Sequence, residues 1–207
     1  MKRIGLLSLI ILITTIIWFW PPGSWFVEDC QLDGSFADWR GRAFLDEGED
    51  LHGKNQNLSA VYWNTNQNEQ KLYFMVKRQS PLDTKSTLFL SLYFDINANG
   101  NYGDKIDKYA EIAYTPDRQD LGTVKLDLYT IRGEYIYTAA GSWGEGYANG
   151  AQRFEFALPM SKLQIYPAQA IRYYLQVIGP NPDRLPDKND MQWAPFPNTV
   201  KNKYTVV

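Results

Sequence analysis

The chain has 207 residues, 44% of them hydrophobic and 15% aromatic, enough apolar material for one well-buried domain plus a leader. Its formal net charge of −2, with no basic patch, argues against nucleic acid as a partner. One histidine and one cysteine argue against a His-based catalytic or zinc site and exclude an internal disulfide.

The first element is the leader. Met1-Lys2-Arg3 is followed by Ile4 to Trp20, 17 residues without a charge, and Pro21-Pro22-Gly23 breaks the run. This is an export segment. Its length is marginal for a hydrocarbon core of about 30 Å. It is longer than a usual signal-peptide apolar region, and no small-x-small cleavage site follows, so the expectation is an uncleaved helical anchor, with a cleaved signal peptide and secretion as the alternative. Trp18, Trp20 and Trp25 would sit at the membrane interface, and the positive start places the remaining chain outside the cytoplasm. The expected division is 1–27, leader and short linker, and 28–207, one domain. Val27-Glu28-Asp29 lacks the small residues that lipoprotein processing at Cys30 would need, so Cys30 reads as a small buried hydrophobe.

Leu32 to Trp39 reads as a turn leading to a buried Trp39. Period-2 alternation then recurs along the chain. Leu72, Phe74 and Val76 alternate with Tyr73 and Met75; Leu88, Leu90, Leu92 and Phe94 alternate with Phe89, Ser91 and Tyr93. Ala110, Ile112 and Tyr114, then Val124, Leu126 and Leu128, then Phe154, Phe156 and Leu158, then Ile171, Tyr173, Leu175 and Val177 continue the pattern. Turn signals lie at Asn66-Gln67-Asn68, at Arg132-Gly133-Glu134 and between Gly141 and Gly150. A single helical turn is expected over Ser161 to Gln164, and a tail rich in Pro, Asn and Asp from Pro180 onward is expected to wrap an edge. Many short strands with Gly, Asn and Pro turns predict an all-β fold, an antiparallel β-sandwich of the jelly-roll or immunoglobulin-like two-sheet kind.

Between two of these strands lies Asp95-Ile96-Asn97-Ala98-Asn99-Gly100-Asn101-Tyr102-Gly103-Asp104-Lys105-Ile106-Asp107. Oxygen-bearing side chains recur at Asp95, Asn97 and Asn99, and Gly100 follows where the backbone must turn. These six residues fit the opening of an EF-hand loop. The match then stops, because the bidentate Glu position is Ile106 and the flanks are strands rather than helices. Asp95, Asn97, Asn99, Asn101, Asp104 and Asp107 are the candidate ligands for Ca2+. The competing reading is a hairpin turn rich in Asn and Gly because both tolerate left-handed backbone.

Several pieces, in order, resemble the β-sandwich domains grouped with family 9 carbohydrate-binding modules and the DOMON-like superfamily. They are Leu32-Asp33-Gly34-Ser35-Phe36-Ala37-Asp38-Trp39, Asp46 to Asp50 with Asn57 to Trp63, Gln70 to Val76, Phe94-Asp95 with its loop, Phe154 to Leu163, and Asp183 to Asp187. The likeness spans roughly residues 31–200. It implies a β-sandwich and, for some relatives, a carbohydrate ligand. Other relatives hold haem, but Met75, Met160, Met191 and His52 make no convincing axial pair.

No catalytic set emerges. His52 lies in a Gly/Asn/Lys-rich loop, and the acidic runs read as solvated faces. A non-catalytic binding module is the expected class, with a polysaccharide or cell-wall glycan as ligand. The alternative is a structural or protein-interaction domain at the cell surface. Sugar rings stack on aromatic planes, and the candidates in expected loops are Trp63, Trp143, Tyr147 and Trp193. The competing reading for each is a cap on the core.

Overall fold

The computed structural model describes residues 30–39, 43–46, 57–66, 69–79, 81, 83–166, 169–179, 182–186, 191–193 and 205–206, with the side chains of 43–46, 66, 191–193 and 205–206 excepted. The leader and His52 fall outside these residues. Among the described residues no helix is long and apolar enough to cross a membrane.

The alternating runs become strands. They are β1 (Ala43–Asp46), β2 (Leu58–Asn66), β3 (Lys71–Arg78), β4 (Leu88–Asp95), β5 (Lys108–Thr115), β6 (Leu121–Thr130), β7 (Tyr135–Thr138), β8 (Trp143–Glu145) and β9 (Arg153–Pro159). After a single-turn helix α1 (Met160–Leu163) come β10 (Ile171–Val177), β11 (Arg184–Leu185), β12 (Met191–Trp193) and β13 (Thr205–Val206). Among the described residues every strand pair is antiparallel. The spatial order is β1-β2-β3-β9-β8-β6-β5-β4-β10-β12-β13, with β7 also on β6 and β11 also on β10.

The all-β, antiparallel expectation is met, and the ladder is continuous. Strand β6 belongs to both halves: Leu121 and Gly122 pair with β8, while Thr123 to Thr130 pair with β5. The sheet therefore bends at β6 and curls into a nearly closed, barrel-like form. The bend needs glycine on both strands. A Cβ on Gly122 would lie 2.6 Å from the Glu145 carbonyl oxygen, and one on Gly144 would lie 2.6 Å from the Tyr114 ring. At the seam, the Leu58 N–H donates to Asp183 Oδ2 (2.5 Å) and the Val177 N–H to the Asp183 carbonyl (2.7 Å), linking β2 to the end of β10.

The inward residues of the two halves meet in one core. Phe74 of β3 lies 6.3 Å from Phe94 of β4 and 5.5 Å from Tyr173 of β10, centroid to centroid. Aromatic pairs of this kind contribute about 0.5–1.5 kcal/mol each beyond the area they bury. On the outer side of the first half, the segment 30–39 packs across β3 and β9. There Cys30, Trp39, Tyr73, Met75 and Ala157 form a second buried cluster. Cys30 is buried, as expected, and accepts a hydrogen bond from Asn64 Nδ2. Trp39 is buried too, but in this outer cluster rather than between the two halves.

Glu155 locks the cover down. Its Oε2 accepts the Trp39 indole N–H (2.9 Å) and its Oε1 the Gly34 N–H (2.8 Å). Burial, with Asp38 and Asp33 nearby, pushes this carboxyl up to about 7 despite the two donors. The folded chain therefore holds the Glu155 proton more tightly than the unfolded chain does. The linked stability is fully present below about 4.5, the ordinary value, and is lost as pH rises through about 7. The melting temperature should decline between pH 5 and pH 8, and Glu155→Gln should flatten that decline. Glu155→Ala should lower stability at every pH by about 1–3 kcal/mol, because it leaves the buried Trp39 N–H and the part-buried Gly34 N–H without an acceptor.

Candidate binding face

The 95–107 loop joins β4 to β5, with Phe94 opposite Lys108. Ile96 is fully buried, and its carbonyl accepts Gln169 Nε2 at 2.8 Å, so the loop is pinned at its base. Asp95 and Asp107 are also fully buried. Asp95 accepts the N–H groups of Asn99 (3.2 Å) and Gly100 (2.7 Å), and Asp107 those of Ile96 (3.0 Å) and Asp104 (2.7 Å). Gly100 supplies the positive φ, +84°, at the turn.

The loop thus brings its six oxygen-bearing side chains into one hydrogen-bonded unit. Each Asn oxygen takes the backbone N–H two residues on: Asn97 from Asn99 (3.2 Å), Asn99 from Asn101 (2.7 Å), Asn101 from Gly103 (3.1 Å). Each Asn amide nitrogen donates to Asp104, at 2.9, 2.7 and 2.8 Å. The Asn97 amide, then that of Asn99, holds the Asp104 carboxyl below its ordinary value. Burial pushes Asp107 up, aided by the charges of Asp95 and Asp104. Lys108 is turned to the Ile106 carbonyl (2.8 Å) and Gln164 (3.1 Å).

Three carboxylates and three amides suit a hard cation in kind. In this arrangement, however, the amide oxygens serve the backbone, so a cation would have to exchange those bonds for its own. No group of three His, Cys, Asp or Glu side chains placed to hold a metal ion occurs among the described residues.

The four candidate aromatics do not share a site. Trp63 lies in the core, 1% exposed, its ring 5.9 Å from that of Tyr173. The expectation of a stacking platform there is corrected, since an indole with no exposed face offers a sugar nothing. Trp63 sits at an inward position of β2, and its spacing rather than its composition decides that. Trp143 is half-buried, edge-on to Phe36 at 5.3 Å. It is seated so closely on Gly34 that a Cβ there would come within 2.2 Å of the indole. Tyr147 opens a short 3-10 turn, Tyr147–Asn149, with Lys85 Nζ 4.8 Å from its ring centre. The Trp193 side chain lies outside the described residues.

The exposed aromatic surface is elsewhere, on the outer face of the second half. Register aligns Tyr174, Tyr93, Tyr109, Tyr129 and Tyr135 on β10, β4, β5, β6 and β7. The first four rings stack in series at 4.8, 5.9 and 5.3 Å, their planes within 25° of parallel. Tyr135 closes the row edge-on to Tyr129 at 6.1 Å and is 62% exposed. At the other end the Arg184 guanidinium lies 3.9 Å from the Tyr174 ring centre, and Tyr102 of the loop meets the same ring edge-on at 4.8 Å.

Beside this row runs a polar one: Gln176, Ser91, Glu111, Asp127 and Thr138, again in register. Thr138 donates its hydroxyl to Asp127 and is bonded to the Tyr135 hydroxyl. A third row carries Phe89, Ala113 and Lys125, with Ile178 beside Phe89; Phe89 is 52% and Ile178 49% exposed. These tyrosines lie within strands, not in the loops where binding aromatics were expected. The signal was present as Tyr at an outward position of the runs that form β4, β5, β6 and β10. Burial pushes the Tyr109 and Tyr129 phenols up, with Glu111 beside both and Asp127 beside Tyr129, so both hydroxyls keep their protons.

No protein-family model, curated protein or solved structure matches the chain, so the likeness to family 9 carbohydrate-binding modules and DOMON-like domains stands on the quoted segments alone.

Asp95 is the side chain on which the loop closes. Asp95→Ala should destabilise the chain by about 1–3 kcal/mol, the cost of two donors left unsatisfied, read as a lower urea midpoint with an unchanged slope.

Proposed function

We propose that the chain is a non-catalytic carbohydrate-binding module, held at or released from the outer side of a membrane, and that it takes its ligand on the outer face of the second half. One observation carries this reading. That face presents a continuous tyrosine row, a row of hydrogen-bonding side chains and exposed Phe89 and Ile178, while the outer face of the first half is covered by residues 30–39. Sugars need apolar surface for their C–H groups and hydrogen-bonding partners for their hydroxyls; exposed Phe89 and Ile178 offer the first, and the adjacent polar row and tyrosine hydroxyls the second. The two halves then correspond to the two layers of a β-sandwich, the architecture that the resemblance implies.

The 95–107 loop is proposed as a structural Ca2+ site built from Asp95, Asn97, Asn99, Asn101, Asp104 and Asp107. Two fully buried carboxylates in one loop support it, since neither forms an ion pair among the described residues. The ion would rotate the three Asn amides to present oxygen.

A protein-interaction domain without a sugar ligand is the second reading. The stacking favours it, because rings that cover one another's faces also serve the sheet.

Retention on insoluble neutral polysaccharides tests the function. The wild-type chain should be retained and Tyr109→Ala with Phe89→Ala released, both with unchanged circular dichroism; a wild-type chain retained on no glycan would favour the second reading. Calcium is tested separately by melting with and without EDTA. A hundredfold excess of Ca2+ over its dissociation constant should stabilise by about 2.7 kcal/mol, and Asp95→Ala should remove the response. Identical melting curves would leave the loop a hydrogen-bonded turn.

A further inference from the structure

The outer face of the second half is ordered in a way that specifies more than a sugar. Two of its rows run across the strands with the same kind of group from each strand. The tyrosine row draws one ring from each of β10, β4, β5, β6 and β7. The polar row draws Gln176, Ser91, Glu111, Asp127 and Thr138 from those strands in the same order. Strands repeat at about 4.8 Å, close to the advance per sugar of an extended glycan. The stacked rings turn their planes to one another, so their outer rims and hydroxyls, rather than their π faces, meet a ligand. Ser91, the shortest side chain of the polar row, lies between Tyr93 and Phe89 on β4 and is buried, so at that strand it forms the floor of the row and the flanking rings stand above it.

On these grounds, and resting on the binding function proposed above, we infer that the ligand is a linear, uncharged glycan in extended form, lying across the strands along the Gln176–Ser91–Glu111–Asp127 row. Charge selects against the alternatives. Glu111 and Asp127 stand side by side in the row, so a polyanionic glycan meets repulsion along its length. The two carboxylates would also draw a cation, but Lys125, two residues from Asp127 on the same face of β6, offsets part of that pull, and the ring faces a cation would stack on are covered at Tyr93 and Tyr109. The neutral Tyr109 and Tyr129 hydroxyls donate, the two carboxylates accept, and a chain of hydroxyl groups satisfies both. The contacts repeat from strand to strand, so each added sugar meets a new set of groups until the row ends.

Titration of the full-length chain, in mild detergent, with neutral oligosaccharides of two to six sugars from the retaining polysaccharide reads this directly. Affinity should rise by roughly fivefold per added sugar, about the worth of one net hydrogen bond, and level off once the row is spanned. Glu111→Gln, an exposed and near-isosteric change, should weaken the longest oligosaccharide by roughly three- to tenfold and leave the melting temperature unchanged. A disaccharide bound as tightly as a hexasaccharide would overturn the extended mode while the binding function stood. An acidic oligogalacturonate bound more tightly than its neutral counterpart would overturn the charge assignment. Length dependence untouched by Glu111→Gln would move the ligand off the polar row. If no polysaccharide retains the wild-type chain, the binding function fails, and this inference fails with it.

Discussion

The architecture turns on the contact of Tyr114 with two glycines. The ring is fully buried, stacked on Phe154 at 4.7 Å, and its hydroxyl donates to the Glu145 carbonyl at 2.7 Å. It fills the space that side chains at Gly122 and Gly144 would occupy, which lets β6 leave β8 and continue along β5 without breaking its ladder. A buried phenol needs a partner, and the Glu145 carbonyl serves because the bend brings it there. Arg78 lies over the same ring at 5.3 Å and donates to the Ala151 carbonyl at 2.6 Å, tying the end of β3 into the same corner. The bend folds the sheet onto itself, and Phe74 meets Phe94 and Tyr173 as a result.

Bending one sheet around one core leaves two outer faces, and the chain treats them differently. The first face carries Tyr62, Tyr73, Met75 and Ala157, too apolar to face water, and the 30–39 segment covers it. Covering it takes two N–H groups, buried at Trp39 and part-buried at Gly34, away from water, and both need an acceptor; Glu155 supplies both oxygens and itself becomes a buried carboxyl raised above its ordinary range. A buried acid is costly, and its two bonds offset part of that cost while fixing where Trp39 sits. On the second face Glu111, Thr123, Lys125 and Tyr135 remain exposed beside the tyrosines. The contrast in covering, rather than aromatic content alone, marks the second face as the one available to a ligand.

The fold class was legible because period 2 is a local signal: Ala110 to Tyr114 and Ile171 to Val177 alternate in the sequence and alternate in burial. The helical turn near Ser161 and the connection 95–107 were legible for the same reason. The continuity through β6 was not, since it depends on Gly122 and Gly144, far apart in sequence, meeting under Tyr114. The binding face was half legible. Outward tyrosines could be read strand by strand, but their alignment requires the strand order β10-β4-β5-β6, in which β10 lies beside β4 across a long stretch of chain. Trp63 and Trp143 misled in opposite ways. One is an inward strand residue in the core; the other is an outward one spent on seating the 30–39 segment.

The 95–107 loop and the tyrosine row meet at Tyr174, and this contact gives the loop a role whether or not an ion fills it. Asp95 and Asp107 close the loop through four backbone bonds, and the Asn97, Asn99 and Asn101 amides close it again on Asp104. Few side chains inside such a unit are free to move, so Tyr102 is held where it meets Tyr174 edge-on. Arg184 fixes the same ring from β11. A stack of rings is only as ordered as its ends, because each ring is positioned by its neighbours. With Tyr174 held by the loop and by a guanidinium, Tyr93, Tyr109 and Tyr129 inherit that order, and the face is set in the free chain. For the glycan proposed above, preorganisation of this kind would lower the side-chain entropy lost on binding, which counts most at a face that does not enclose its ligand.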